Sequence, residues 1–147
     1  MPAALAMGLA ARAGLRRGEI SRVATDDLER DLVGWSLRVH GKGGRQRLVP
    51  LADELAFTLR RRPVGWAFPG QDHGHLSASR VGELVSDVLP QGWTAHTLRH
   101  YFATRTYAET HDVLQVMTLL GHAKPETTMG YVRLGSDGLR AAVSWAA

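Results

Sequence analysis

The 147-residue chain contains no cysteine, which removes disulfide frameworks, thiolate zinc sites and thiol nucleophiles from consideration and fits an intracellular, cytoplasmic protein. It is almost without lysine: of eighteen cationic side chains only Lys42 and Lys124 are lysines, the others being arginines. No apolar run is long enough to span a bilayer, so no membrane partner is expected. The Ala-rich stretch Met1 to Ala13 is short and interrupted by Arg12, and reads as a helix packed on a domain rather than a signal peptide. No internal repeat, low-complexity tract or linker divides the sequence. A length of 147 residues at 44% hydrophobic content suits one compact domain with its own core and is too short for two ordinary ones.

What is present is unevenly spread. Residues 1–62 hold twelve Lys and Arg against seven Asp and Glu, whereas the remainder holds six against seven. The excess is arginine, whose planar fork suits bidentate contact with phosphate, so the first half is the expected electrostatic footprint of a nucleic acid.

Patterning gives the elements. A helix over residues 2–13 ends at Gly14, and a second runs from Arg16 to Val23, in which Glu19 reaches back to Arg16 at i+3. A short strand near Asp27 to Asp31 precedes a hairpin. Trp35, Leu37 and Val39 share one face, Gly41-Lys42-Gly43-Gly44 forms the tip, and Leu48 and Val49 follow. Ala52 to Arg62 is an amphipathic helix with Leu55, Phe57 and Leu59 inward. Residues 63–75 read as a loop with apolar anchors Trp66, Ala67 and Phe68 and with His73 and His75 exposed. Ser77 or Ser79 caps a helix reaching about Leu89, with Val81, Leu84, Val85 and Val88 on its buried face. Pro90 to Trp93 breaks it. A further helix carries His96 to Ala103, and the next one, Asp112 to Leu120, is stopped by Gly121. Lys124-Pro125-Glu126 restarts a short helix that delivers Tyr131. Residues 139–145 form an apolar helix candidate. The expected fold class is α+β, mainly α-helical, with a small three-stranded antiparallel sheet.

The chemistry concentrates in His96-Thr97-Leu98-Arg99-His100, Leu120-Gly121-His122 and Tyr131. On a helix His96, Arg99 and His100 stand at i, i+3 and i+4 and share one side. A guanidinium, several imidazoles and a phenol in one cleft suit a phosphodiester: Arg holds two nonbridging oxygens, His donates a hydrogen bond or moves a proton, and Tyr attacks phosphorus. HTLRH, then LGH, then Tyr nine residues on resembles the signature of the tyrosine recombinases, the phage-integrase family of site-specific DNA recombinases. That family also places an Arg in a GLR-x-x-E box and a Lys in a glycine-rich hairpin turn, and this chain has Gly14-Leu15-Arg16-Arg17-Gly18-Glu19 and Gly41-Lys42-Gly43.

The resemblance, which covers residues 10 to 135, implies the catalytic set Arg16, Lys42, His96, Arg99, His122 and Tyr131. Glu19 and His100 would support it from behind, and Arg17, Arg45 and Arg47 would contact the DNA backbone. It implies strand cleavage and rejoining through a 3′-phosphotyrosyl bond, with no metal or nucleotide cofactor, on double-stranded recombination sites of phage or mobile-element DNA. A homo-oligomer is implied, a tetramer on synapsed DNA, with an accessory DNA-bending or directionality protein as a helper. Residues 1–147 would form a single catalytic domain whose tail, 134–147, docks on its own core or on a neighbouring protomer. The N-terminal core-binding domain usual in integrases is not in this sequence, which suggests a truncated piece or a minimal member with weak, salt-sensitive DNA binding. Three other readings remain: a type IB topoisomerase-like relaxing activity, a catalytically silent DNA-binding regulatory module, and a His-metal hydrolase built on His96, His100 and His122. The last lacks a carboxylate base between its i, i+4 histidines, where position 97 is Thr, and would set a divalent cation beside two arginines.

Overall fold

In the computed structural model the described residues are 1–122. Lys124 to Glu126, Tyr131 and the helix candidate at 139–145 lie outside them.

Helix α1 (Pro2–Ala13) is the core element. One face of small and branched side chains, Ala3, Leu5, Ala6, Leu9, Ala10 and Ala13, is buried. Small side chains let neighbouring helices approach closely, and α1 packs against α3 (Asp53–Arg60), α4 (Ala78–Ser86) and α5 (Ala95–Thr110). Gly14, in the left-handed region at φ 71°, stops α1 and turns the chain into α2 (Arg17–Ser21).

A 3₁₀ turn, Thr25–Asp27, leads to β1 (Leu28–Arg30). With β2 (Trp35–His40) and β3 (Gln46–Leu51) it forms the expected three-stranded antiparallel sheet, order β1-β2-β3, in register Leu28↔Leu37 and Leu37↔Val49. Leu37, Val39 and Val49 face the core, where alternation predicts them. The hairpin tip is a 3₁₀ turn, Lys42–Gly44, closed by the Gly41 amide donating to the Arg45 carbonyl at 2.7 Å. After α5, His111 takes the left-handed conformation (φ 53°) and Asp112 caps α6 (Val113–Leu120) through the amides of Leu114 and Gln115. Ala103, Val116 and Leu120 make a second apolar cluster that joins α5 to α6.

Several side chains depart from the patterned expectation. Phe57 is half-exposed and turns its ring edge to Trp35, with centroids 6.3 Å apart, because α3 buries Leu55, Ala56 and Leu59 instead. Val88 is exposed because α4 ends at Ser86. The loop at 63–75 contains a short strand, β4 (Pro69–Asp72). His75 is buried, not exposed: Trp66 packs edge-on against its ring at 4.8 Å, and its Nδ1 is 2.7 Å from the Leu76 carbonyl. Among the described residues, no helix is long and apolar enough to cross a membrane.

Candidate active site

Glu19 is the centre on which the site is built. As the third residue of α2, its Oε2 accepts from the Arg16 amide at 2.9 Å, while its own amide donates to the Arg16 carbonyl at 2.9 Å, which fixes the helix start. The carboxylate is buried, and three guanidiniums converge on it. Arg16 donates from Nη1 at 3.1 Å, Arg47 donates from Nη1 and Nη2 at 2.8 and 3.0 Å, and Arg99 Nη1 lies 3.9 Å away. Burial alone would raise the Glu19 pKa. The Arg47 hydrogen bonds, the Arg16 amide and the charges of Arg47 and Arg99 outweigh it and hold the carboxyl below its ordinary value. One negative charge against three positive ones leaves this end of the cleft strongly attractive to an anion.

Arg99 reaches the same place from α5. Although only 2% exposed, it is held by backbone acceptors: Nη1 donates to the Gly14 carbonyl, and Nη2 donates to the Leu120 carbonyl at 3.0 Å. Nη2 also lies 3.0 Å from His122 Nε2. The guanidinium therefore joins the turn after α1 to the end of α6. Gly121, left-handed at φ 69°, ends α6 and directs His122 back toward Arg99.

Because an arginine can only donate, His122 Nε2 must accept, and the ring proton resides on Nδ1. Burial, followed by the charges of Arg99, Arg16 and Arg47, brings the His122 pKa from 6.5 to about 4, so the ring is neutral at pH 7. The His100 pKa is also lowered, by burial and then by the neighbouring charge of His96, whose ring lies 5.7 Å away.

A histidine kept neutral in the folded state but protonated in the unfolded state makes stability fall with acidity. The unfolded chain binds the extra proton as pH drops below 6.5, and the loss continues until the folded ring titrates near 4. Allowing for solvent screening at this partly exposed ring, His122 should cost the fold about 1 kcal/mol between pH 7 and pH 5. His122→Gln is expected to flatten that part of the profile. Urea unfolding of both proteins at the two pH values measures it, and parallel profiles would contradict it.

Arg16, Lys42, His96, Arg99 and His122 all line a single cleft, so five of the six expected catalytic positions are gathered by the fold. Arg17 and Arg45 are exposed on its walls. Arg47, expected as a DNA-backbone contact, is placed differently from Arg17 and Arg45. It also lines the cleft, but its guanidinium turns into the protein toward Glu19 and, through Nε, the Leu119 carbonyl at 2.8 Å. Arg22 is a cleft residue that the sequence reading left out, and its nearness to Arg17 and Glu19 on a short helix was the available signal. Tyr131 lies outside the described residues. Among the described residues, no three His, Asp or Glu side chains form a group able to hold a metal, so His96, His100 and His122 do not make a ligand triad.

Comparison with known proteins agrees with this arrangement. The model of the phage integrase family matches residues 1–136. The tyrosine recombinase XerD of Caulobacter vibrioides is 35% identical over 146 residues, covering 86% of this chain and 47% of the relative. The integrase of Escherichia phage P2 is 28% identical over 131 residues, covering 89% and 37%. Among solved structures, an integrase from mycobacterium phage Brujita superposes with a TM-score of 0.70 at 29% identity, over 82% of this chain and 43% of that one. The XerH recombinase bound to its palindromic difH substrate shares the fold, with a TM-score of 0.74 at 24% identity over 97% and 45%. The chain thus spans less than half the length of these relatives. With the family's sequence pattern running through nearly all of it, and with Arg16, Lys42, His96, Arg99 and His122 lining one cleft, the chain belongs to the phage integrase family, the tyrosine recombinases.

Proposed function

We propose that this chain is the catalytic domain of a site-specific DNA recombinase that cuts and rejoins strands by transesterification at Tyr131. The observation that carries the reading is the meeting of Arg16, Lys42, His96, Arg99 and His122, from separate parts of the chain, around one anion-attracting cleft.

A tyrosine hydroxyl titrates near pH ~10 and is a weak nucleophile at neutral pH. Arg16 and Arg99 bind the nonbridging oxygens and stabilise the charge of a five-coordinate phosphorus, a role commonly worth a few kcal/mol per donor. Neutral His122 donates to the phosphate through Nδ1–H. His96, directly or through water, accepts the phenolic proton as the Tyr131 oxygen bonds to phosphorus. The bond to the 5′ oxygen breaks, and Lys42 protonates that oxygen as it leaves. The 3′-phosphotyrosyl ester keeps the energy of the broken linkage, so a 5′ hydroxyl from another strand can reverse the step and release Tyr131. The scheme uses no metal or nucleotide. The DNA-bound relatives support a duplex partner, and strand exchange implies assembly on synapsed sites as a tetramer.

The test is covalent trapping on a randomised pool of nicked suicide duplexes. The wild-type chain should yield a denaturant-resistant protein–DNA adduct in the presence of a chelator, and Tyr131→Phe should yield none. Sequencing the trapped duplexes gives the site, and strand exchange between two such duplexes separates recombination from simple relaxation. An adduct that survives Tyr131→Phe, or that disappears on chelation, would overturn the proposal.

A further inference from the structure

We propose that Arg47 is a positioning residue that clasps the end of α6 to Glu19 and so sets His122 in the cleft, rather than a contact to the DNA backbone. Four observations carry this. Nη1 and Nη2 grip the Glu19 carboxylate as a fork, at 2.8 and 3.0 Å, and Nε donates to the Leu119 carbonyl at 2.8 Å. Such two-sided engagement fixes a guanidinium plane in a way a single contact does not. The side chain is 12% exposed, in contrast to the exposed Arg45 on the same hairpin.

Its flat guanidinium also rests against Gly121, where an added Cβ would lie 2.8 Å from Nη1. Gly121 is the left-handed residue that turns the chain to His122, and the His122 amide in turn donates to the Met117 carbonyl at 3.1 Å. Finally, Arg99 takes the Leu120 carbonyl while Arg47 takes Leu119, so two guanidiniums hold adjacent carbonyls at the negative end of α6. Glu19 lies between them and allows the two cations to stand together. One side chain on β3, two residues past the Lys42–Gly44 turn and Arg45, therefore couples the hairpin, α2 and the end of α6.

The consequence for cleavage rests on the function proposed above, whereas the structural consequence does not. Arg47→Met should leave most of the molecule protected while amide exchange at Gly121 and His122 accelerates about tenfold. Binding to a random 30-base-pair duplex should keep its affinity within about threefold and its salt slope unchanged, because no phosphate contact is lost. Adduct formation at saturating DNA should fall about a hundredfold, a loss in rate with little change in half-saturation. Arg47→Lys keeps the charge but not the fork, and should reproduce the faster exchange with intact DNA binding. It also serves should the methionine variant fail to fold.

Unchanged exchange at Gly121 and His122, or a salt slope reduced by about one unit, would overturn the proposal. Global unfolding of both variants would do so too, since Arg47 would then support the whole fold. If the wild-type chain forms no adduct, the proposed function fails while the exchange and salt measurements still decide the role of Arg47.

Discussion

Arg99→Met is expected to reduce adduct formation at least ~10³-fold and to lower the unfolding free energy by about 3–5 kcal/mol. The two effects have separate origins. For the reaction, methionine has no donor to offer the phosphate, and removal of one preorganised donor typically costs ~10²–10³ in rate. The same change releases the His122 ring from the partner that fixes its Nε2 as an acceptor. For the fold, methionine fills similar space but leaves the Gly14 and Leu120 carbonyls without the donor that satisfies them. Each buried acceptor left unpaired costs about 1–3 kcal/mol. Glu19 loses one nearby cation but keeps Arg16 and Arg47, so its share of the loss is the smaller. Thermal unfolding should fall by about 10–15 °C for a chain of this size. A variant as stable as the wild type would show that the guanidinium is not needed where it lies buried.

Those buried contacts mark the line between what the sequence discloses and what only the fold decides. The elements were legible where one local signal settles them. Gly14 after an Ala-rich run, alternation through Trp35, Leu37 and Val39 into a glycine-rich turn, and Asp112 before an apolar stretch all appear in the structure as read. The five described positions proposed as catalytic were legible because their spacing matches a family pattern, not because composition points to them. The inward turn of Arg47 was not legible because the burial of a guanidinium depends on partners far away in sequence. Glu19 lies 28 residues before it and Leu119 lies 72 residues after it. His75 was misread for a related reason. Gly70 permits so close an approach of the 75–76 backbone that an added Cβ would lie 2.7 Å from it, which draws His75 inward against Trp66. Neither approach has a signature in local pattern.

Glycine at position 14 shows how much of the site depends on one such approach, and Gly14→Ala is expected to destabilise the fold by about 3 kcal/mol or more. Its φ of 71° is in the left-handed region, where a Cβ costs roughly 1–2 kcal/mol from the backbone alone. Here the Cβ also has nowhere to go. It would lie 2.4 Å from Cδ1 of Phe102 and 3.0 Å from Cδ2 of Leu120. Phe102 packs on the apolar cluster joining α5 and α6, so moving its ring disturbs the helix that carries Arg99 and the one that ends at His122. The carbonyl of the same glycine accepts from Arg99, so any backbone shift that relieves the clash also weakens that guanidinium's hold. Gly43→Ala separates the two causes: φ there is 72°, yet nothing lies within 4 Å of the added Cβ. That control should lose only the backbone part, about 1–2 kcal/mol. Denaturant unfolding of both variants measures the difference. Equal losses would mean that the Phe102 ring yields freely and that the left-handed turn, not the packing against α5, is what requires glycine after α1.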